Sequence, residues 1–501
     1  MNSKKTVIKN TGILYVRMLI TLLVSLYTSR VTLEMLGIDD FGVYGVIGGV
    51  VGLFAFLSRT LTASFNRYIC IGIAHDDQTE INHVVGASMI IQLIIIAVVL
   101  IVGETLGIWF INNYLVIAPE KLMAAHIVFQ FSVVTFIINI FTSAYNSIII
   151  SYERMSIYAY ICIFEVIAKL AVVYALSLSD GSRLELYAGY ICGVQLIVLV
   201  IYYWYVRKQY PMIRAALKNS AKYVKDMLSF ASYGFVGSFA FVVKNQGLNF
   251  LLNIFGGPAL NAARAISFQV YTAVYNFVGN FQTAFSPYLL KRQTLNSKET
   301  CNTDVRIFTQ VSFAVMVILM IPIMYATPQI IHFWLGDTVP EYTISFTRLI
   351  LLIGLCEAIS APLLNIINGS GNIARLQITA FVVYLSVIVL SYFFLKKGAL
   401  PNAVYYIDFA SNVFMVFIRI IIARCTTDLI LSKYFKTTFL PITLILGILF
   451  IIYLLPIYFT LNTLICIVIG ETIILLYAYF VLPKVARLQL RNRIRQCLKL
   501  S

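Results

Sequence analysis

The chain reads as an all-α protein that crosses a membrane many times, with about fourteen spanning helices. Three observations carry this. Of 501 residues, 60% are hydrophobic and 12% charged, where a soluble domain has roughly 25% charged. Apolar runs of roughly 20 residues, each long enough to cross about 30 Å of hydrocarbon, recur from end to end. Two of those runs, the second and the eighth, are polar along one face and repeat each other in register.

The first apolar run, 11–36, is too long for a signal core, and no small-residue cleavage site follows it. With Lys4, Lys5 and Lys9 ahead of it, it is expected to begin on the cytoplasmic side without a cleaved leader. The second run carries Gly48, Gly52, Ala55, Arg59, Thr62 and Asn66 on one face. Its overlapping small-xxx-small spacings at Gly45, Gly48, Gly49 and Gly52 point first to close helix packing and second to room for a substrate. The third to sixth runs are ordinary spans, followed by a polar, basic stretch over 207–226.

The stretch 258–292 organises the chain. Gln269, Thr272, Asn276, Gly279, Asn280, Thr283 and Ser286 recur at steps of three and four, so a helix gathers them into one stripe. Ile266, Val270, Ala273, Val274, Phe277 and Phe281 occupy the opposite face. Unpaired amides in hydrocarbon are costly, so the polar side must face protein or a wet cavity. Shifted by 220 positions, Gly257 falls on Gly37, Phe285 on Phe65 and Tyr288 on Tyr68. The upstream helices follow, Asn245 and Asn249 falling on Ser25 and Ser29. A register held across two helices predicts an internal duplication, the plan of a transporter built from repeats. Further on, Pro287, Pro322, Pro328 and Pro362 are expected to kink helices. The motif at Asn368 (Asn-Gly-Ser-Gly-Asn-Ile) is a turn, without the Lys-Ser/Thr ending of a phosphate loop.

Charge placement predicts orientation. With an even helix count and a cytoplasmic start, the outward loops hold only Lys121, Arg183, Lys396 and Lys397 of the 37 Lys and Arg. This is the positive-inside pattern, with both termini cytoplasmic. The net charge of +16 therefore reflects topology and attraction to anionic inner-leaflet lipid, with no nucleic-acid partner expected.

Nine cations fall within apolar segments: Arg17, Arg30, Arg59, Arg67, Lys169, Lys244, Arg264, Arg348 and Arg419. Each costs at least about 2.5 kcal/mol near the bilayer centre and needs a partner or a purpose. The intramembrane acids are Glu34, Glu104, Glu165, Glu357, Asp408 and Glu471. Arg30 with Glu34, and Lys169 with Glu165, have the spacing of one-turn ion pairs. Arg17, Arg67 and Arg419 lie near the cytoplasmic face, within snorkelling reach of headgroups. Arg59, Lys244 and Arg264 have no acid at i±4 and sit on the helices with the polar stripes. They are the candidates to face a central cavity, together with Asn245, Asn249, Gln269, Asn276 and Asn280.

No Walker A sequence is present. Eight cysteines and four histidines show no disulfide or metal spacing. No cofactor or metal is expected, and a coupling ion, Na+ or H+, stays open.

Asn10-Thr-Gly, Tyr15-Val-Arg, Leu26-Tyr-Thr-Ser-Arg and Leu36-Gly-Ile-Asp-Asp-Phe-Gly-Val-Tyr resemble bacterial polysaccharide-export flippases of the Wzx type. So do Ile266-Ser-Phe-Gln-Val and Asn280-Phe-Gln-Thr-Ala-Phe-Ser-Pro. These flippases belong to the MOP (multidrug/oligosaccharidyl-lipid/polysaccharide, MATE-like) exporter superfamily. The resemblance implies two pseudo-twofold-related six-helix lobes, 1–206 and 227–425, joined by a basic cytoplasmic linker, 207–226. Two further helices over 426–482 and a basic tail over 483–501 complete the plan. A related branch, the lipid II flippases, also carries an Arg early in its first helix and an Asp just after it. Arg17 and Asp39 or Asp40 occupy comparable places. With Arg30 and Lys169, Arg17 and Asp39 are further candidates for a cavity or gate.

The function implied is not enzymatic. It is alternating-access movement of a polyprenyl-diphosphate-linked oligosaccharide across the bacterial inner membrane, for O-antigen, capsule or exopolysaccharide assembly. Other polysaccharide-assembly proteins are implied partners. Arg59, Lys244 and Arg264 would offset the diphosphate charge, and the amides with Tyr271 and Tyr275 would meet sugar hydroxyls. A MATE-type drug/cation antiporter shares the fold, although the excess of intramembrane cations speaks against cationic cargo. A membrane polymerase or acyltransferase would want a large outward loop or a functional His, and neither is found.

Overall fold

A computed structural model describes residues 3–152, 154–178, 182–217, 220–294, 298–336, 338–369, 374–427, 429–459 and 463–481. Among them the chain is all-helical. In order, the helices are α1 (3–36), α2 (38–74, interrupted at 53–54), α3 (Gln78–Asn113), α4 (Pro119–Ser151), α5 (Met155–Leu176), α6 (Arg183–Gln209) and α7 (221–256). Then follow α8 (258–294), α9 (Lys298–Leu335), α10 (Thr343–Gly369), α11 (Ala374–Lys396), α12 (Ala403–Thr426), α13 (431–459) and α14 (Thr463–Val481). Eleven described stretches are long and apolar enough to cross a membrane. The chain is a polytopic membrane protein.

Helices α1 and α2 join without a loop, and so do α7 and α8. The break is a single glycine in each case, Gly37 (φ 80°, ψ 169°) and Gly257 (φ 74°, ψ −175°). That corner of backbone space is essentially closed to residues with a Cβ. The second break comes 220 positions after the first, at the offset read from the sequence.

Elsewhere the local chemistry is visible in the boundaries. Asp77 caps α3, accepting from Thr79 N–H (2.9 Å) and Glu80 N–H (3.0 Å); losing such a cap costs about 1 kcal/mol. Within α3, Gly103–Gly107 forms a π-helical turn. In α9 the expected proline kink lies between Pro322 and Pro328, where Ala326 leaves helical geometry (φ −95°, ψ 17°). Pro328 has no N–H for the Met324 carbonyl. The Thr327 hydroxyl donates to the Ile323 carbonyl (2.6 Å) and reaches the Met324 carbonyl at 3.3 Å, satisfying carbonyls the kink exposes.

The structure divides into two compact units. Unit 1 takes Met1–Ile266, Trp334–Tyr342 and Tyr384–Pro401; unit 2 takes Ser267–Phe333, Thr343–Val383 and Asn402–Ser501. In unit 1, α4 packs along α6 and α1 along α5, over a core that includes Val43, Ile47, Phe65, Val84, Ile91, Phe129, Ile148 and Tyr202. Gly189 admits the ring of Phe131, with a Cβ there 3.3 Å from the ring edge, the small-residue device for close helix approach. Residues 210–217 strap onto the start of α3: the Ala216 N–H donates to the Asn82 carbonyl (3.0 Å) and the Arg214 N–H to Asn82 Oδ1 (2.9 Å). In unit 2, α10 packs along α12, and Phe346 lies 4.5 Å from Tyr405 at its centre.

Candidate functional site

Unit 1 gathers part of the expected set. Lys244 is 2% exposed and Arg264 7% exposed, on α7 and on the first turns of α8. The Lys244 ammonium lies 5.0 Å from the Tyr384 ring centroid and 5.8 Å from that of Phe241, within cation–π range. The Arg264 guanidinium donates to the Asn245 backbone carbonyl (3.1 Å) and approaches its Oδ1 at 3.4 Å. Asn245 thus follows one buried cation on α7, Lys244, and accepts from another on α8, Arg264.

An amide network continues from there. Asn261 Nδ2 donates to the Asn249 carbonyl (2.7 Å) and to Asn249 Oδ1 (2.8 Å). Asn253 Nδ2 donates to Asn261 Oδ1 (3.0 Å), and Asn253 Oδ1 accepts from the Val116 N–H (2.8 Å). Asn249 Nδ2 reaches the Gly45 carbonyl at 3.5 Å. The network ties α7 and α8 to α2 and to the α3–α4 connection. Asn253 and Asn261, both buried, are members that sequence reading missed. Asn253 had a clue in the spacing Asn245, Asn249, Asn253, which puts three amides on one face of α7; Asn261 had none.

The glycines of α2 divide. A Cβ at Gly49 would meet the ends of Gln246 (2.7 Å) and Asn249 (2.8 Å), and one at Gly52 would meet Gln246 (2.9 Å), whereas Gly45 and Gly48 have nothing within 4 Å. Packing accounts for the first two and open space for the others.

Other candidates lie elsewhere. The Arg59 side chain is outside the described residues; its backbone belongs to α2. Arg30 pairs with Glu34 (2.9 Å) and Lys169 with Glu165 (2.6 Å), as the spacing predicted. Gln195 also donates to Glu165, at 2.7 Å. Arg17 does not simply snorkel: its guanidinium lies 4.7 Å from the Tyr158 ring centroid and 3.7 Å from Cys162 Sγ. Asp39 is exposed, and its neighbour Asp40 pairs with Lys121 at 2.5 Å.

Unit 2 holds Gln269, Asn276 and Asn280 on α8, with Asn276 exposed and the other two half-buried. The opposite face of the helix, Val270, Val274 and Val278, is buried, so the stripe divides the helix as its spacing required. Unit 2 also holds two acids, Glu357, half-buried, and Asp408, buried. The Tyr271 hydroxyl donates to Glu357, and Tyr275 stacks on Tyr271 at 5.4 Å. Asp408 is 5% exposed and accepts from Asn412 Nδ2 at 2.9 Å. Arg419 turns inward and donates to Ser360, where a snorkelling side chain was expected.

The lipid II flippase MurJ in an inward closed conformation superposes with a TM-score of 0.66 at 16% identity, over 94% of this chain and 98% of that one. An inward-facing multidrug-resistance MATE transporter of the MOP superfamily gives 0.66 at 15%, over 84% and 99%. A MOP superfamily transporter from Pyrococcus furiosus, described as having a binding pocket of reverse polarity, gives 0.62 at 14%, over 85% and 96%. The chain shares the fold of these structures. No protein-family model matches the chain, and no curated protein matches it. Lys244 and Arg264 belong to unit 1, and Glu357 and Asp408 to unit 2.

Proposed function

We propose that the protein is a flippase that moves a polyprenyl-diphosphate-linked oligosaccharide from the cytoplasmic to the outer leaflet of the bacterial inner membrane, by alternating access, for surface-polysaccharide assembly. The observation that carries this reading is the pair Lys244 and Arg264, two cations buried beside an array of asparagine amides. Positive charge held in a low-dielectric interior acts strongly on an incoming diphosphate, and Arg supplies a fork suited to phosphate oxygens. Asn245, Asn249, Gln269, Asn276 and Asn280 offer donors and acceptors to sugar hydroxyls. Arg59 is proposed as a third cation from α2, and Arg17, Arg30, Asp39 and Lys169 as cavity or gate positions. The match to a lipid II flippase along nearly the whole chain supports the same class of cargo. Both termini and the 207–226 linker are proposed to be cytoplasmic, and the two six-helix lobes, 1–206 and 227–425, are the bodies proposed to rock.

A second reading, a cation-coupled drug antiporter, is favoured by Glu357 and Asp408 near Tyr271 in unit 2, since acids within spanning segments suit cationic cargo. Purified protein in vesicles separates the two. The flippase reading expects a fluorescent polyprenyl-diphosphate oligosaccharide to become accessible to a quencher on the opposite leaflet faster than in empty vesicles, and expects ethidium to distribute equally in both. Ethidium movement that depends on Glu357 or Asp408, with no movement of the glycolipid, overturns it.

A further inference from the structure

Of the acids within the spanning segments, Glu34 and Glu165 are ion-paired, Glu357 accepts from Tyr271 and Asp408 from Asn412, and Glu471 is half-buried on α14. Glu104 is different. It is exposed on α3, and its partner among the described residues is a neutral amide, Gln130 Nε2 of α4, at 3.0 Å. Around it Ile101 is 66% exposed, Leu106 61% and Trp109 52%. Those are the side chains of a lipid-facing helix surface with its interfacial aromatic. Nine residues separate Glu104 from Asn113 at the end of α3, roughly 13 Å of helix, so Glu104 lies well inside the apolar stretch Gln78–Asn113.

The backbone is shaped around this place. Glu104 lies in the π-helical turn Gly103–Gly107, a distortion often found at functional positions. A Cβ at Gly107 would be 2.9 Å from the Phe129 ring, and one at Gly103 would be 3.6 Å from it. The two glycines bring α3 against α4 while Glu104 and Thr105 turn outward. A second polar rung follows nearer the helix end, where His126 of α4 hydrogen-bonds to Asn112 of α3 at 2.8 Å. The α3–α4 seam therefore presents two polar rungs on a surface otherwise suited to hydrocarbon.

We propose that this seam is a docking site for a spanning helix of another membrane protein, one that carries a Lys or Arg at the depth of Glu104. A carboxylate facing lipid is unfavourable unless protonated or paired, and the amide of Gln130 supplies no compensating charge. A basic side chain on a partner helix supplies it, and the glutamine amide and the His126–Asn112 rung fix the register. The inference does not depend on which cargo the protein carries.

The test uses full-length protein in phosphatidylcholine vesicles with two Leu-rich transmembrane peptides, one all-Leu and one with a single Lys at the depth of Glu104. Association is read by energy transfer. The Lys peptide is expected to bind wild type at least roughly tenfold tighter than the Leu peptide, the scale of one desolvated charge pair. Glu104→Gln, which preserves shape and an amide partner for Gln130, removes that preference. Glu104→Lys transfers it to a peptide bearing Glu, a gain that misfolded protein would not show. Equal binding of the Lys and Leu peptides by wild type overturns the proposal. So does photobleaching that shows wild-type dimers becoming monomers on Glu104→Gln, because the occupant is then a second copy. Labelling of Glu104→Cys by a membrane-impermeant thiol reagent as fast as a cysteine in the 114–118 connection also overturns it, because the seam is then in water.

Discussion

Gly37 and Gly257 make the same break in two different helix pairs, with φ of 80° and 74° and ψ of 169° and −175°. Neither has a heavy atom within 4 Å of where a Cβ would stand. The requirement for glycine is therefore one of backbone conformation alone. We predict that Gly37→Ala and Gly257→Ala each destabilise the protein by about 1–3 kcal/mol. Asparagine should rescue neither, because it tolerates the left-handed helical region and not this extended one. Thermal unfolding in detergent reads the result, and an asparagine variant as stable as wild type would contradict the backbone argument.

Gly42 is needed for the opposite reason. A Cβ there would lie 2.0 Å from the Pro258 carbonyl oxygen, a backbone atom that cannot rotate away. Gly42→Ala is expected to lower folded yield sharply, while Gly48→Ala, with open space and a better helix former in place of glycine, should leave folded yield at least at the wild-type level. Fluorescence-detected size exclusion on both variants is enough to decide.

Asn253 holds the α3–α4 connection through the Val116 N–H and passes the network on to Asn261. Asn253→Ala leaves buried donors and acceptors without partners and should cost roughly 1–3 kcal/mol. The double variant Asn253→Ala/Asn261→Ala should lose less than the sum of the two singles, since the residues share one network. Strict additivity in thermal unfolding would show that they act separately.

Orientation is tested at Lys222, which is exposed at the start of α7. We expect Lys222→Cys to resist a membrane-impermeant thiol reagent in intact cells and to react after permeabilisation. Labelling in intact cells would reverse the topology.

Much of the fold was legible because helix length and period are local properties. The positions of the helices, the repeat offset that reappears as Gly37 and Gly257, and the one-turn pairs Arg30–Glu34 and Lys169–Glu165 all needed only spacing. The site was legible in part. Lys244 and Arg264 stood out by the cost of burying charge, and both are buried. Tyr384 over Lys244, Val116 against Asn253 and Tyr158 beneath Arg17 were not legible, because each joins residues more than a hundred positions apart. No local period encodes which helices meet. Asn261 was passed over because an isolated asparagine in a helix has no signature until its partner is placed.

The central claim is that Lys244 and Arg264 hold an anionic, diphosphate-bearing cargo. Its most direct measurement is the rate at which vesicles containing Arg264→Ala, Lys244→Ala or Arg264→Lys move a fluorescent polyprenyl-diphosphate oligosaccharide, at equal folded protein. The account predicts a loss of at least about tenfold for each alanine variant, the scale of a charge-assisted hydrogen bond, with partial recovery in Arg264→Lys because charge returns without the fork. Wild-type rates in both alanine variants would contradict it.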